Sequence, residues 1–137
     1  MRRTVLDTNI YIDWLNEGLH EELVLGPGRV RIMSAVVLME LRAGAETRRA
    51  TRGVDRLARA YRAAQRLAAP APNVYDEAGN VLRELRKQGR DVRRASLVND
   101  VLIALTARAQ GASIVTRDAS DFMAIRGVSD ISVEVVS

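Results

Sequence analysis

The sequence predicts an α/β fold, with a central, mostly parallel sheet of four to five strands covered by helices. Three observations lead there. Short β-branched or apolar segments alternate with longer ones whose apolar residues recur at helical spacing. Each strand is too far along the chain from the next for a hairpin, so the connections are right-handed helical crossovers. The length of 137 residues suits one domain, 1–137, around a single core.

Taken in order, Arg3 to Leu6 reads as a strand running into Asp7-Thr8-Asn9, a triplet suited to a strand end and a helix cap. Ile10, Trp14 and Leu15 then mark a helix closed by Gly18, with Leu19 to Leu25 as a short second one before the Gly26-Pro27-Gly28 turn. Arg29 to Met33 alternates as a strand does. Ser34 is placed to cap a helix through Ala45, whose stripe of Val37, Leu38 and Leu41 sets Glu40 at its edge. The next helix, about Arg49 to Leu67, buries Val54, Leu57, Ala58, Tyr61 and Ala64. Its other face carries Arg48, Arg52, Arg56, Arg59, Arg62 and Arg66.

Pro70 and Pro72 interrupt this pattern, and Asn73 is read as the cap of a helix through Gln88 that Gly89 ends. Gly89 to Ser96 is an Arg-rich loop. Val98, Val101, Leu102, Leu105 and Ala109 define a strongly apolar helix ending at Gly111, with Asp100 beside its stripe. Ser113 to Thr116 is a strand, Asp118 to Ile125 a short helix and Ile131 to Val135 the last strand.

Composition removes several chemistries. Cysteine is absent, which excludes disulfides, thiolate zinc sites and cysteine nucleophiles. His20 is the one histidine, set in a polar segment and read as exposed, so histidine metal sites and relays are poorly supported. Any active site must use carboxylates and hydroxyls. No run of about 18 apolar residues could span a membrane and no signal-peptide core follows Met1, which leads us to expect a cytoplasmic protein. The formal charge is +4, and 20 of the 21 basic residues are arginine, which forks bidentately onto phosphate. A bias of the source genome toward Arg would also account for the preference for Arg over Lys, but not for the excess of positive charge.

Ligands of open parallel sheets bind beyond the carboxyl ends of the strands, where Asp7 and Asp118 are expected. Glu40 and Asp100 sit among apolar residues on helices, and ionised groups there need a partner. Each acid alone is accounted for by an arginine or a helix cap. Four in such positions suggest a cluster that a hard divalent cation, Mg²⁺ or Mn²⁺, would neutralise. Such an ion suits phosphodiester cleavage by an activated water, which needs no histidine.

At these residues the sequence resembles the PIN-domain nucleases, and within them the VapC-like toxins. The pattern is carried by Asp7-Thr8-Asn9; by Ser34 through Glu40-Leu41, continued by Arg42-Ala43-Gly44; by Asp100 opening the apolar run Val101 to Ala107; and by Thr116-Arg117-Asp118 with Asp121-Phe122. Each motif alone is weak, whereas the ordered set is specific and covers nearly the whole chain. Many relatives have Asn where this chain has Asp118, so the fourth acid is Asp118, Asp121 or both.

The resemblance implies a PIN-like α/β/α sandwich and a metal-dependent endoribonuclease acting as the toxin of a toxin–antitoxin pair. Asp7, Glu40, Asp100 and Asp118 or Asp121 would hold one or two ions, with Asp7, Asp100 and Asp118 as metal ligands. Thr8, Asn9 and Thr116 would position ligands. It also implies an antitoxin protein that blocks the site, and dimerisation through the helices carrying Val54, Leu57 and Tyr61. Arg48, Arg52, Arg90, Arg93 and Arg94 are candidates for RNA contact, although a run of charge is ordinarily a solvated helix face. Tyr11 and Trp14 could stack a base but lie on an apolar stripe, so they are assigned to the core.

Two other classes fit parts of the pattern. An inactive PIN-like module that binds RNA or a partner would keep the basic stripes and tolerate loss of Asp7. A phosphotransfer receiver or a haloacid-dehalogenase-like phosphatase also places Asp at a strand end. The latter wants Asp-x-Asp, where this chain has Asn9, and the former wants a Lys after its last strand, where the one Lys is Lys87.

Overall fold

A computed structural model describes all residues, 1–137. Strand β1 (Arg2–Leu6) is the spine of the molecule, because it is paired in parallel along both edges. On one side it meets β2 (Arg29–Arg31), in register Arg2 to Arg29; on the other it meets β5 (Ser113–Thr116), in register Leu6 to Val115. Strand β6 (Val133–Val135) extends the sheet beyond β5, giving the all-parallel order β2-β1-β5-β6 flanked by helices. Val5, Leu6, Ile114 and Val115 are fully buried, as strands covered on both faces require.

Seven helices connect these strands: α1 (Thr8–Glu17), α2 (Glu21–Leu25), α3 (Ala35–Gly44), α4 (Arg48–Ala63), α5 (Pro72–Lys87), α6 (Ala95–Ala109) and α7 (Ser120–Arg126). Helix α6 is the inner one, for every residue from Val101 to Ala107 is buried and no face remains for solvent. Ser34 caps α3 as the sequence suggests, its Oγ accepting the Val36 N–H at 3.1 Å.

Several boundaries differ from those expected. The strand expected over Arg29 to Met33 divides: after Arg31 the chain leaves the main sheet, and β3 (Met33–Ser34) pairs in parallel with β4 (Leu67–Ala68), a two-residue strand without a sequence signal. That pairing shortens α4, which ends at Ala63 rather than Leu67. Gln65 turns the chain in the left-handed region (φ 56°), freeing the Arg66 carbonyl to accept the Met33 N–H at 2.8 Å. Asn73 does not cap α5; Ala71 holds that position and Pro72 opens the helix, where its missing N–H costs nothing. Helix α7 begins at Ser120, leaving Asp118 in the preceding loop. Ala64 and Ala109, expected on apolar stripes, are exposed because each lies just past or at the frayed end of its helix.

Tyr11 is fully buried and Trp14 packs half-buried against the core, as expected. Val54, Leu57 and Tyr61, on α4, are buried in the chain's own core. No helix is long and apolar enough to cross a membrane.

Candidate active site

Parallel pairing of β1 with β5 brings the ends of both strands to one place. The Asp7 N–H donates to the Val115 carbonyl at 2.8 Å, which fixes Asp7 beside Thr116. Asp7 then caps α1, and its buried carboxylate is gripped at both oxygens. Oδ1 accepts the Thr8 N–H at 2.8 Å and Oδ2 accepts the Thr116 hydroxyl at 2.8 Å. Thr116 Oγ1 in turn accepts the Asp118 N–H at 3.0 Å, shaping the loop that holds Asp118. Asn9 ties the two strand ends together, donating from Nδ2 to Thr116 Oγ1 and accepting the Arg117 N–H, each at 3.4 Å.

Glu40 reaches this place from the exposed edge of α3's buried stripe. The Thr8 hydroxyl donates to its Oε1 at 2.7 Å and Asn99 Nδ2 to its Oε2 at 3.3 Å. Asn99 went unnoticed in the sequence, because nothing but its neighbour Asp100 distinguishes it from any other polar residue on a helix. Asp100 projects from α6, half-buried.

The electrostatics show which acids share space. Burial pushes the Asp7 carboxyl up to about 6, against the hydrogen bonds from Thr116 and Thr8, while the charges of Glu40 and Asp118 raise it further. Asp100 rises to about 8, first by burial, then by the charges of Asp7, Asp121 and Glu40 and a hydrogen bond shared with Asp121. Two acids in one site thus resist ionisation for the same reasons, desolvation and mutual repulsion.

The five predicted acids therefore gather in one region, but not as a closed cage: no three carboxylates stand ready around a single point. Asp118 is exposed, lies on the Asp7 side, and accepts the Ser120 N–H at 3.3 Å. Asp121 lies on the Asp100 side, where Arg90 and Arg94 hold it at 2.8 and 2.9 Å. This donor set still suits a hard cation, since Mg²⁺ takes one or two carboxylates and completes its shell with water and phosphate oxygens. The repulsion that adds to burial in raising Asp7 and Asp100 is relieved by such a charge.

Of the other predicted residues, Arg48 and Arg52 are exposed on α4 without an acidic partner, and Arg93 is exposed beside Asp91. His20 is not exposed as expected: its Nε2 lies 3.0 Å from Asp13 Oδ2, and Asp13 also accepts from Arg117 Nε at 2.8 Å. A groove of about 520 Å³ lies between α1 and α4, lined by Trp14, Arg49 and Arg56 and by none of the acids. A narrower cleft of about 90 Å³ shares Leu15, Asn16 and Ala50 with it and reaches Glu40. Groove size does not locate this chemistry, since an ion with an extended polyanion needs an open, shallow site.

Comparison with known proteins agrees with the geometry. A family model described as PIN domain matches residues 4–127. No curated protein sequence matches the chain. Among solved structures, a chain of VapBC2 from Rickettsia felis bound to a promoter DNA fragment superposes with a TM-score of 0.73 at 21% identity, covering 98% of this chain and 99% of that one. A chain of DNA-bound VapBC from Salmonella typhimurium gives 0.72 at 25% identity, with 98% of each chain covered. A chain of VapBC-5 from Mycobacterium tuberculosis, a member of the VapBC family of toxin–antitoxin systems, gives 0.66 at 26% identity, covering 99% and 100%. With the family model spanning nearly all of it and the motif residues gathered at the strand ends, this chain belongs to the PIN-domain family, a family of nucleases.

Proposed function

We propose that this chain is a Mg²⁺- or Mn²⁺-dependent endoribonuclease and the toxin of a toxin–antitoxin pair. One observation carries the reading: Asp7, held at both oxygens by Thr8 and Thr116, is brought beside Glu40 and Asp100, so that three carboxylates repel one another where a cation would offset their charge. Asp7, Asp100 and Asp118 are the proposed ligands, with Glu40 beside them and Asp121 at the margin. A bound divalent ion would neutralise charge on the phosphate and would lower the pKa of a water, making hydroxide available as the nucleophile. The chain's own groups hold the acids in place. Thr116 and Thr8 fix the Asp7 oxygens, Thr8 and Asn99 fix those of Glu40, and Asn9 keeps the two loops in register.

The substrate reading is supported by exposed arginine around an acidic centre that would bind a polyanion only through a metal. The toxin role and an antitoxin partner are supported by the likeness to chains of VapBC complexes. A cytoplasmic homodimer completes the reading by family resemblance. The test is cleavage of labelled total RNA by purified, partner-free protein with Mg²⁺ or Mn²⁺, with EDTA and Asp7→Asn as controls. Discrete fragments lost in both controls are expected. Salt-sensitive RNA binding with no cleavage under any metal would overturn it in favour of a binding module.

A further inference from the structure

Arg90 and Arg94 come from the loop between α5 and α6, and their guanidinium groups converge on a single atom. Arg90 NH1 and Arg94 NH2 donate to Asp121 Oδ1 at 2.8 and 2.9 Å. Two cations on one carboxylate leave surplus positive charge, and only Arg94 has a further side-chain contact, from NH1 to Ser96 Oγ at 3.0 Å. Most of their N–H donors are therefore unused. Asp121 is 15% exposed, while the Arg90 and Arg94 side chains are 32% and 46% exposed, so the donors face solvent and the acid lies beneath them. The same Asp121 acts by its charge on Asp100, which places the pair at the rim of the acidic site.

The geometry points to Arg90 and Arg94 as a phosphate-binding pair held in reserve by Asp121, which a backbone phosphate of the RNA replaces between the two guanidiniums. A phosphodiester offers two anionic oxygens where Asp121 Oδ1 offers one, so each guanidinium gains a charge-assisted partner of its own. Exchange is cheap, because a partly exposed ion pair contributes little to stability. Asp121, which already neighbours Asp100, is thereby freed of its arginine partners and its charge is offered to that side of the site. This inference rests on the polyanion reading of the site and assigns the residues that grip the phosphate.

Binding of a fluorescein-labelled, mixed-sequence single-stranded RNA to the full chain, followed by anisotropy in EDTA across a salt series, tests it without requiring catalysis. R90A and R94A should each weaken binding about tenfold at low salt, the loss of one charge-assisted contact. Each should also reduce the log–log salt slope, and R90A/R94A together by about 0.7, the value for the one single-strand phosphate contact that the pair shares. D121N, which removes the competing anion, should tighten binding. Because Arg94 occupies the cap position of α6, R94K is measured beside R94A. It should keep the wild-type slope with lower affinity.

Unchanged slopes in both alanine variants would overturn the inference, as would a D121N variant that binds more weakly than the wild type. Wild-type cleavage with Mg²⁺ alongside unchanged slopes would defeat this inference alone. Reduced slopes alongside a wild type that never cleaves would defeat the nuclease reading alone.

Discussion

The hydroxyl of Thr116 donates to the Asp7 carboxylate at 2.8 Å from the end of the neighbouring strand, and accepts the Asp118 N–H with its lone pair. One side chain thus sets the orientation of one acid and the course of the loop that holds another. Parallel β1–β5 pairing is what makes this possible, since it brings residues 109 positions apart into contact.

We expect Thr116→Val to cost about 1–3 kcal/mol of stability, because a buried carboxylate loses its donor and a backbone N–H its acceptor. RNA cleavage should fall at least tenfold. Thr116→Ser keeps the hydroxyl and should recover most of both. Urea unfolding and an RNA cleavage time course check the pair, and a Val variant as active as the wild type would remove Thr116 from the site.

Stability of the metal-free protein should decline as pH rises. Asp7 and Asp100 have folded values of about 6 and about 8 against 3.8 for the unconstrained group. Between 3.8 and those values the folded chain holds more protons than the unfolded chain. Their contribution is complete below 3.8 and lost through about 6 for Asp7 and about 8 for Asp100. In EDTA, Tm measured by circular dichroism should fall across that window, and Asp100→Asn should flatten its upper part. Added Mn²⁺ should restore Tm most at the alkaline end, where it no longer competes with protons.

Much of this arrangement is legible in the sequence, because the features that create it are local. Asp7 follows the first strand, Ser34 caps a periodic helix, and Asp100 interrupts an apolar run, each a short-range pattern. What escapes are features decided by tertiary contact. The β3–β4 pairing of two residues with two has no propensity signal and ends α4 early. Asn99 becomes important only because α3 and α6 cross where Glu40 lies within its reach. His20 meets Asp13 because its own backbone takes a left-handed turn (φ 63°), which a polar flank does not announce. The sequence reading, which leaves the fourth acid open between Asp118 and Asp121, likewise misses that Arg90 and Arg94 already claim Asp121.

The core makes a separate prediction. Tyr11 and Tyr61 hydroxyls lie 2.6 Å apart with rings edge to face, each the other's buried partner. Tyr61→Phe leaves the Tyr11 hydroxyl unpaired and should cost about 1–3 kcal/mol. The Tyr11→Phe, Tyr61→Phe double variant removes both polar atoms and should be more stable than the Tyr61→Phe single variant. A double-mutant cycle in urea checks it, and strictly additive losses would mean that the hydroxyls are not coupled.

Glu40 supplies the last test, because its two oxygens are held by different helices, Thr8 from α1 and Asn99 from α6. Asn99→Ala frees Oε2, and the carboxylate can then turn from its orientation toward the other acids. Partners of this kind are worth about 10–100-fold in metal affinity, and we expect Mn²⁺ binding by calorimetry to weaken within that range. Asn99→Asp has a different signature, for it sets another negative charge against Glu40 and Asp100. In EDTA its Tm should fall below that of Asn99→Ala, and saturating Mn²⁺ should narrow the gap as the cation offsets the added repulsion. If Mn²⁺ affinity is unchanged in Asn99→Ala, then Thr8 alone orients Glu40 and the contact from α6 serves only packing.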